Sequence, residues 1–262
     1  HNVRPKFIHR VLKQEIARKA EVCTAQAQTK PTVQTTHLIE YCCGNNSLLM
    51  KNWERQGGKG TRVSLPQLDA EGPKIVQRIV DIAKKEIRQG RHVRMHVALP
   101  CKSWSKIGRI GAVPNPETAK TIKKGQRKSR KMLKHVIEII KKLQGGHFAC
   151  SFEWPEGCDG FDLKKCPEMR ELMKLLPFDT RCHGCAYGLV DDNKTPIKKP
   201  WRILSSCSSI KQMGHKCPGH KDHAQLVGRP KLLSRTENYC PRLVRKLIPA
   251  LLGLPARGVR LT

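Results

Sequence analysis

The chain has 262 residues, of which 51 are lysine or arginine and 21 are aspartate or glutamate, so its formal net charge is +30. Self-repulsion at this charge disfavours the compact state, which predicts a polyanionic partner. No apolar run approaches the roughly 18 residues that cross a bilayer, so the composition favours nucleic acid, DNA or RNA, over a membrane. A ribosomal-type scaffold protein would have a similar charge.

The start of the chain has no apolar core or small-residue cleavage site of a signal peptide, which predicts an intracellular protein, nuclear or cytoplasmic. Because the first residue is His1 rather than Met, we expect the chain to be part of a larger polypeptide. Its 12 cysteines would suit a secreted disulfide framework, but the adjacent pair Cys42 and Cys43 and the clustering of cysteine with histidine favour reduced thiols and metal.

Residues 1–35 are basic, with apolar residues at helical spacing and then a polar stretch, which predicts a helical arm and a linker. Over residues 36–177, short apolar segments alternate with amphipathic ones. This alternation predicts an α/β core of the Rossmann-like kind, with a mostly parallel sheet covered on both faces. The predicted strands are 37–41, 61–64, 92–99 and 147–152, and the predicted helices start at 48 and cover 73–89 and 130–143, with a basic loop at 106–128.

The sequence changes character near residue 178. A predicted hairpin pairs 187–190 with 200–204, and cysteines and histidines surround it, so residues 178–238 are predicted to form a small appended lobe. Residues 239–262 contain a second amphipathic segment, which predicts a C-terminal helix packed on the core sheet.

Three of the predicted strands end in motifs that contain carboxylate, hydroxyl or thiol side chains. The first leads from Glu40 into a turn that ends at Ser47, the second into Pro100 and Cys101, and the third into Glu153. In open α/β sheets, ligands bind at the carboxyl ends of the strands. The three motifs therefore predict one site, with Cys101 as a candidate nucleophile whose thiol pKa would be lowered by helix-start amides or by the neighbouring Lys102 and Lys106.

The order of these motifs resembles the motif series of the cytosine-5 methyltransferases, which use S-adenosylmethionine (SAM), and resembles more closely a divergent methyltransferase-like module of mobile-element (retrotransposon) polyproteins. The resemblance implies a methyltransferase-type fold in which Cys101 attacks carbon 6 of an extruded cytosine and Glu153 holds the edge of that base. It also implies the residues that would bind SAM, which are Glu40, Cys43, Gly44 and Ser47 at the methionine moiety and Asp69 at the ribose.

The chain departs from that family in three places. The first motif lacks the Gly-x-Gly that lets a backbone approach a cofactor, Lys102 replaces the usual glutamine, and no Gly-Asn-Ser stands near the C-terminal helix. We therefore expect a nucleic-acid-binding, methyltransferase-like domain that is catalytically silent, with an active SAM-dependent cytosine methyltransferase as the alternative. A zinc hydrolase or nuclease is disfavoured because no paired carboxylates occur at metal-binding spacing.

A compact Cys-x-x-His-x-x-His array is formed by Cys217, His220 and His223. This spacing suits zinc ligands on a tight loop. Cys185 is the expected fourth ligand, and Cys182, Cys207 and His215 compete for that position. Four protein ligands would make the zinc structural, since a catalytic zinc keeps an open position.

The basic run between residues 120 and 131 follows the Cys101 strand and predicts phosphate contacts near the site. A solvated charge run is the alternative interpretation. Trp104 and Trp154 could stack on a base, although single tryptophans more often pack in a core. The predicted nucleic-acid contacts are Lys123, Lys124, Arg127, Lys128, Arg130 and Arg202.

Overall fold

The computed structural model describes residues 30–44, 46–64, 68–106, 115–226 and 228–254. Most of the predicted arm and linker, and the last eight residues, lie outside the described residues. For the described residues, the prediction of an α/β fold is confirmed. In chain order the elements are β1 Thr36–Tyr41, α1 Leu48–Arg55, β2 Lys59–Val63, α2 Ile75–Arg88, β3 His92–Val97, α3 Pro116–Leu143, β4 Phe148–Pro155, α4 Glu168–Leu175, β5 Phe178–His183, β6 Pro200–Ser205, α5 Pro230–Arg235 and α6 Pro241–Leu252.

The six strands form one mixed, mostly parallel sheet in the order β2-β1-β3-β4-β6-β5. Strands β1 to β4 are mutually parallel, while β6 is antiparallel to both of its neighbours, β4 and β5. The strand order reverses beside β1, because β2 lies on one side of it and β3 on the other. In open α/β sheets such a reversal creates a crevice at the carboxyl ends of the strands.

Helices cover both faces of the sheet. Helices α2, α3 and α4 bury their apolar sides against one face, in a cluster that includes Tyr41 and Met95. Helices α1 and α6 bury theirs against the other face, around Trp53 and Leu247. Helix α6 thus packs on the core sheet. Every residue of β1 and β3 is buried, as expected for central parallel strands covered on both sides.

Buried polar groups on β3 tie the C-terminal helix to the sheet. The guanidinium of Arg94 is buried, and its Nε donates a hydrogen bond to the carbonyl oxygen of Leu251 at 2.8 Å. Leu251 is in the last turn of α6, where carbonyl groups have no partner within the helix. Arg94 thus satisfies one of these carbonyls and fixes the helix end against the sheet.

The predicted basic loop at 106–128 is wrong for its second half, because residues 116–128 are the first half of α3. The Asn115 side chain caps this helix by accepting from the backbone N–H groups of Glu117 and Thr118 at 3.0 and 3.2 Å. Pro116 occupies the first turn, where proline is favoured. These capping signals are present in the sequence, but Gly125 and the dense charge interrupt the apolar periodicity that would have revealed the helix.

The predicted hairpin between 187–190 and 200–204 is also wrong. Residues 200–205 form β6, which inserts between β4 and β5, whereas residues 184–187 form a short 3-10 helix that ends at Gly188 with a φ of +74°. The segment assigned to a separate lobe, 178–238, therefore supplies two strands to the central sheet. Alternating apolar residues predicted a strand at 200–204 but could not reveal its partners.

Candidate functional site at the carboxyl edge of the sheet

A cavity of about 480 Å³ opens at the carboxyl ends of β1, β3 and β4, where the strand order reverses. Drug-sized ligands occupy cavities of about 300 to 1,000 Å³. The walls come from all three strand ends, from the start of β6 and from the loop before α6. The residues that line it include Glu40, Cys43, Gly44, Ser47, Cys101, Glu153, Lys199 and Tyr239.

Cys101 is half-buried in the cavity, immediately before the short 3-10 helix Lys102–Trp104. Burial raises the pKa of its thiol to about 11, and the negative charge of Glu153 acts in the same direction. The cation that opposes this shift is Lys199. The expectation that neighbouring lysines lower the pKa of Cys101 is therefore wrong, since loss of solvation outweighs them.

Glu153 lies near the end of β4 and is only 7% exposed. Its Oε2 accepts a hydrogen bond from the Tyr239 hydroxyl at 3.0 Å, and that hydroxyl lies 2.8 Å from Nε2 of His96. Nδ1 of His96 lies 2.8 Å from the Ser151 hydroxyl. When the Tyr239 hydroxyl donates its hydrogen bond to Glu153, its oxygen can accept from the Nε2–H of a neutral His96, which leaves Nδ1 to accept from Ser151.

Burial sets the protonation of this chain of groups. It raises the pKa of Glu153 to about 7, against the opposing effects of Lys199 and the Tyr239 hydroxyl. It lowers the pKa of His96 to about 4, so the imidazole is neutral near pH 7. Tyr239 and Lys199 are parts of the site that sequence reasoning missed, since neither belongs to a recognisable motif.

Glu40 has one satisfied and one unsatisfied carboxylate oxygen. The Ser47 hydroxyl donates to Oε1 at 2.6 Å, whereas Oε2 is buried and has no hydrogen-bond partner among the described residues. The side chain lines the cavity and burial raises its pKa to about 7. Buried polar atoms in native proteins normally have a partner, so this oxygen is a candidate acceptor for a ligand that enters the cavity.

The turn that follows β1 carries the rest of the first motif. Cys42 has a φ of +62°, a left-handed conformation that is uncommon for a residue with a side chain. A Cβ added at Gly44 would meet no atom within 4 Å, so this glycine leaves open space at the cavity wall. The wall is therefore accessible at the position where the sequence predicted a cofactor.

Of three other predicted contacts, Asp69 and Trp104 are outside the cavity lining, whereas Trp154 is part of it. Asp69 is exposed in the loop between β2 and α2, is not among the residues that line the cavity, and accepts a hydrogen bond from the Glu71 backbone at 2.8 Å. Trp104 and Trp154 are each 1% exposed, with ring centroids 5.8 Å apart. These tryptophans pack in the core, as the less specific interpretation expected.

A second cluster of chemical groups lies outside the cavity. One ligand atom each from Cys185, Cys217, His220 and His223 lies within 4.8 Å of every other. Cys217 Sγ is 3.5 Å from Nδ1 of His220 and 3.4 Å from Nε2 of His223. Tetrahedral zinc with ordinary bond lengths requires a sulfur–nitrogen separation of about 3.6 Å. The four residues could therefore hold a metal ion.

The two thiols of the cluster differ in their electrostatics, because burial raises the pKa of Cys185 to about 11 whereas Cys217 is shifted the other way. Backbone N–H groups of Gly219 and His220 lower the pKa of Cys217 to about 6, so its thiolate predominates at neutral pH. Thiolate is the form of cysteine that binds metal. The backbone N–H of Cys217 also donates a hydrogen bond to Nδ1 of His183 at 3.0 Å. This hydrogen bond stabilises the loop that carries Cys217. Of the competing fourth ligands, Cys182 is fully buried in the core, and neither Cys207 nor His215 belongs to the cluster.

The predicted phosphate-binding residues fall into two groups. Lys128 pairs with Glu71 at 3.0 Å, while Arg130 pairs with Glu168 and Arg202 with Asp179, both through two nitrogens. By contrast, the exposed side chains of Lys123, Lys124 and Arg127 on α3 make no ion pair with a described carboxylate.

Helix α3 lies directly against the Cys101 loop. The Gln126 side chain donates to the carbonyl of Ser103 at 3.0 Å, and the Ser129 hydroxyl donates to the carbonyl of Pro100 at 3.2 Å. A Cβ at Gly125 would lie 1.9 Å from the Ser103 hydroxyl, so only glycine permits this approach. The half of α3 that carries these exposed cations is therefore the half that contacts the Cys101 loop, while no residue of α3 lines the cavity itself.

Comparisons of the chain with protein-family models, with curated proteins and with solved structures found no match. None of the described helices is both long enough and apolar enough to cross a membrane.

Proposed function

We propose that the chain is a nucleic-acid-binding domain with a Rossmann-like, methyltransferase-type core and a structural zinc centre, and that it is part of a mobile-element polyprotein. The observation that carries this proposal is the exposed basic surface of α3 beside the cavity. The chain has a net charge of +30, and this basic surface belongs to the helix that contacts the Cys101 loop. That loop lines a cavity that a nucleotide could enter.

The ion pairs decide which cations are available to phosphate. Lys123, Lys124 and Arg127 would neutralise phosphates without breaking an ion pair of the described structure, and each would release a counterion. Lys128, Arg130 and Arg202 would first have to leave a carboxylate. We therefore assign the main electrostatic contribution to the first three residues and a smaller one to the others.

The state of Cys101 favours the catalytically silent form of this function. With a pKa of about 11, roughly one thiol in ten thousand is ionised at pH 7. Nucleophilic attack on a base requires the thiolate. The cavity therefore supports binding of a nucleotide more directly than covalent chemistry on it.

One observation favours the alternative, an active SAM-dependent cytosine methyltransferase. Cys101, Glu153 and Glu40 line the same cavity, as that mechanism requires. Glu153, with a pKa of about 7, could donate a proton to the ring nitrogen of cytosine or accept from its amino group. SAM would supply the methyl group, and its amino group would suit the unpartnered oxygen of Glu40.

The residues expected at SAM fit this alternative in part. Glu40, Cys43, Gly44 and Ser47 line the cavity, whereas Asp69 does not and has no part in the proposal. Cys101 would then form a bond to carbon 6 of the base, and Glu153 would hold the base edge.

Binding is tested by titrating labelled duplex and single-stranded DNA and RNA with the protein at several salt concentrations. The proposal expects the logarithm of affinity to fall linearly and steeply with the logarithm of salt concentration, because counterions are released from phosphate. Affinity that is undetectable at low salt, or that does not change with salt, would contradict it.

The enzyme alternative is tested with an oligonucleotide that contains 5-fluorocytosine. In the presence of SAM, an active enzyme is trapped as a covalent adduct because the fluorine prevents the proton loss that releases it. The adduct should disappear in Cys101→Ser and persist in Cys207→Ser, a matched change at a thiol outside both the cavity and the cluster. Calorimetry that detects no SAM binding, together with no adduct, would support the silent domain.

A further inference from the structure

The segment between residues 196 and 199 connects the metal-binding cluster to the cavity. The Ala224 N–H donates to the carbonyl of Pro196 at 2.9 Å, and Ala224 directly follows the cluster residue His223. At the other end, the Gly184 N–H donates to the carbonyl of Lys199 at 2.9 Å, and Gly184 directly precedes the cluster residue Cys185. Both hydrogen bonds therefore come from residues that are adjacent in sequence to proposed metal ligands.

The end of this segment places a cation inside the cavity. Lys199 lines the cavity, and its Nζ donates to the carbonyl oxygen of Thr236 and lies 5.4 Å from the centre of the Trp201 ring. Partial burial lowers its pKa, while the charges of the neighbouring acidic groups act in the opposite direction. Lys198, the preceding residue, is exposed. Two adjacent lysines thus have opposite environments.

We propose that metal binding by Cys185, Cys217, His220 and His223 positions Lys199 in the cavity and so controls the reactivity of Cys101. The proposal rests on the zinc centre of the proposed function. When metal fixes the backbone at Cys185 and His223, the adjacent N–H groups hold the segment from Pro196 to Lys199 in place. Without metal, these N–H groups lose their fixed positions and the lysine leaves the cavity.

The charged groups around Cys101 come from three elements. Glu153 on β4 and Glu237 in the loop before α6 disfavour the thiolate, and Lys199 before β6 favours it. Lysine 199 is therefore a positioning residue that acts through its charge. Removing it leaves the acidic neighbours and the loss of solvation opposed by a backbone hydrogen bond alone, so the thiolate fraction falls.

The first experiment measures how fast each lysine is acetylated, resolved by peptide mass spectrometry. Zinc-loaded protein is compared with His220→Ala, to which zinc is then added in steps, and with His220→Cys, which retains a zinc-binding side chain. Acetylation of Lys199 relative to Lys198 should rise about fivefold or more in His220→Ala and stay low in His220→Cys. Alkylation of Cys150, a thiol of β4 that is only 2% exposed, reports on unfolding of the whole chain.

The outcomes separate this proposal from the zinc centre itself. If wild-type protein contains no metal, the zinc centre fails. If zinc is present and is lost in His220→Ala while the ratio of Lys199 to Lys198 acetylation stays constant, the zinc centre stands and the coupling is overturned. If Cys150 becomes reactive together with Lys199, metal folds the chain as a whole and the specific coupling is again overturned.

The second experiment measures alkylation of Cys101 in zinc-loaded protein at a fixed, mildly alkaline pH. Lys199→Met should slow it roughly threefold to tenfold, corresponding to up to about one pKa unit. Lys199→Arg keeps the positive charge and should restore most of the rate, and Lys198→Met removes the same charge from an exposed position and should change little. Equal rates in all four proteins would overturn the role assigned to Lys199.

Discussion

The cavity and the metal-binding cluster differ in how their chemical groups come together. The cluster takes three of its four ligands from seven consecutive residues, and backbone N–H groups lower the pKa of its Cys217 to about 6. The cavity collects its groups from the ends of separate strands, and burial raises the pKa of Cys101 to about 11. Backbone N–H groups of a local loop therefore stabilise a thiolate, whereas burial at the end of a strand disfavours one.

The largest effect should follow from breaking the cluster. Bound zinc stabilises only the folded state, by about 4 kcal/mol when free zinc is a thousand times the dissociation constant. His220→Ala should remove most of this stabilisation and reduce the metal content from about one zinc per chain. Metal analysis and thermal unfolding at fixed free zinc measure both quantities.

The matched control is Cys207→Ser, because Cys207 was a competing ligand in the sequence and lies outside the cluster. It should keep its zinc. Loss of metal in Cys207→Ser but not in His220→Ala would show that the ligand set is wrong.

The buried carboxyl groups of the cavity should make the free energy of unfolding depend on pH. Burial raises the folded-state pKa of both Glu40 and Glu153 from 4.5 to about 7. Between these values the folded state binds more protons than the unfolded state, so the free energy of unfolding falls as pH rises. At about 1.4 kcal/mol per pKa unit, each group accounts for up to about 3 kcal/mol of that fall.

Glu153→Gln should therefore unfold at a higher denaturant concentration than wild type above pH 7 and show a smaller fall in stability from pH 5 to pH 8. Glu117→Gln, a change of the same charge at an exposed position, serves as the control. If both variants lose stability with pH as steeply as wild type, Glu153 is not buried in its neutral form.

The contact between α3 and the Cys101 loop should produce an intermediate effect. In Gly125→Ala the new Cβ would strike Ser103, and overpacking of this kind costs about 1 to 3 kcal/mol. The gain in helix propensity, about 1 kcal/mol, offsets part of that cost. Chemical denaturation measures the net loss, and Ser103→Gly combined with Gly125→Ala should recover it. If the double variant is no more stable than Gly125→Ala, the loss of stability does not come from a clash with Ser103.

Sequence reasoning worked where chemistry is local. It predicted the parallel core strands from their apolar runs, the carboxyl-edge location of Cys101 and Glu153, and three adjacent cluster residues from their spacing. It also named Cys185 as the fourth ligand, although the spacing itself left competitors open. These features depend on residues close in the chain or on a general rule about strand ends.

The remaining parts depend on long-range packing that no local pattern contains. Strand β6 pairs with β4 and β5 rather than in a hairpin, so Lys199 enters the cavity from a segment that appeared to belong elsewhere. Tyr239 reaches Glu153 across 86 residues of sequence. The pKa of Cys101 required knowledge of its burial, because lysines nearby in sequence suggested the opposite shift.

We propose that nucleic acid binds the surface of α3. The most direct test compares two triple variants with the same loss of charge. One replaces Lys123, Lys124 and Arg127 by glutamine. The other replaces the exposed residues Lys84, Lys85 and Arg88 at the opposite end of the sheet, where α2 leads into the amino end of β3. Neither should change the free energy of unfolding by more than about 0.5 kcal/mol.

The measured quantity is the slope of log affinity against log salt for duplex and single-stranded oligonucleotides. Each phosphate contact contributes about 0.9 to this slope on duplex DNA and about 0.7 on single strands. The account predicts that the α3 variant loses about 2 to 3 units of slope, whereas the α2 variant keeps the wild-type slope. Equal slopes in the wild type and the α3 variant, or an equal loss in both variants, would contradict the claim.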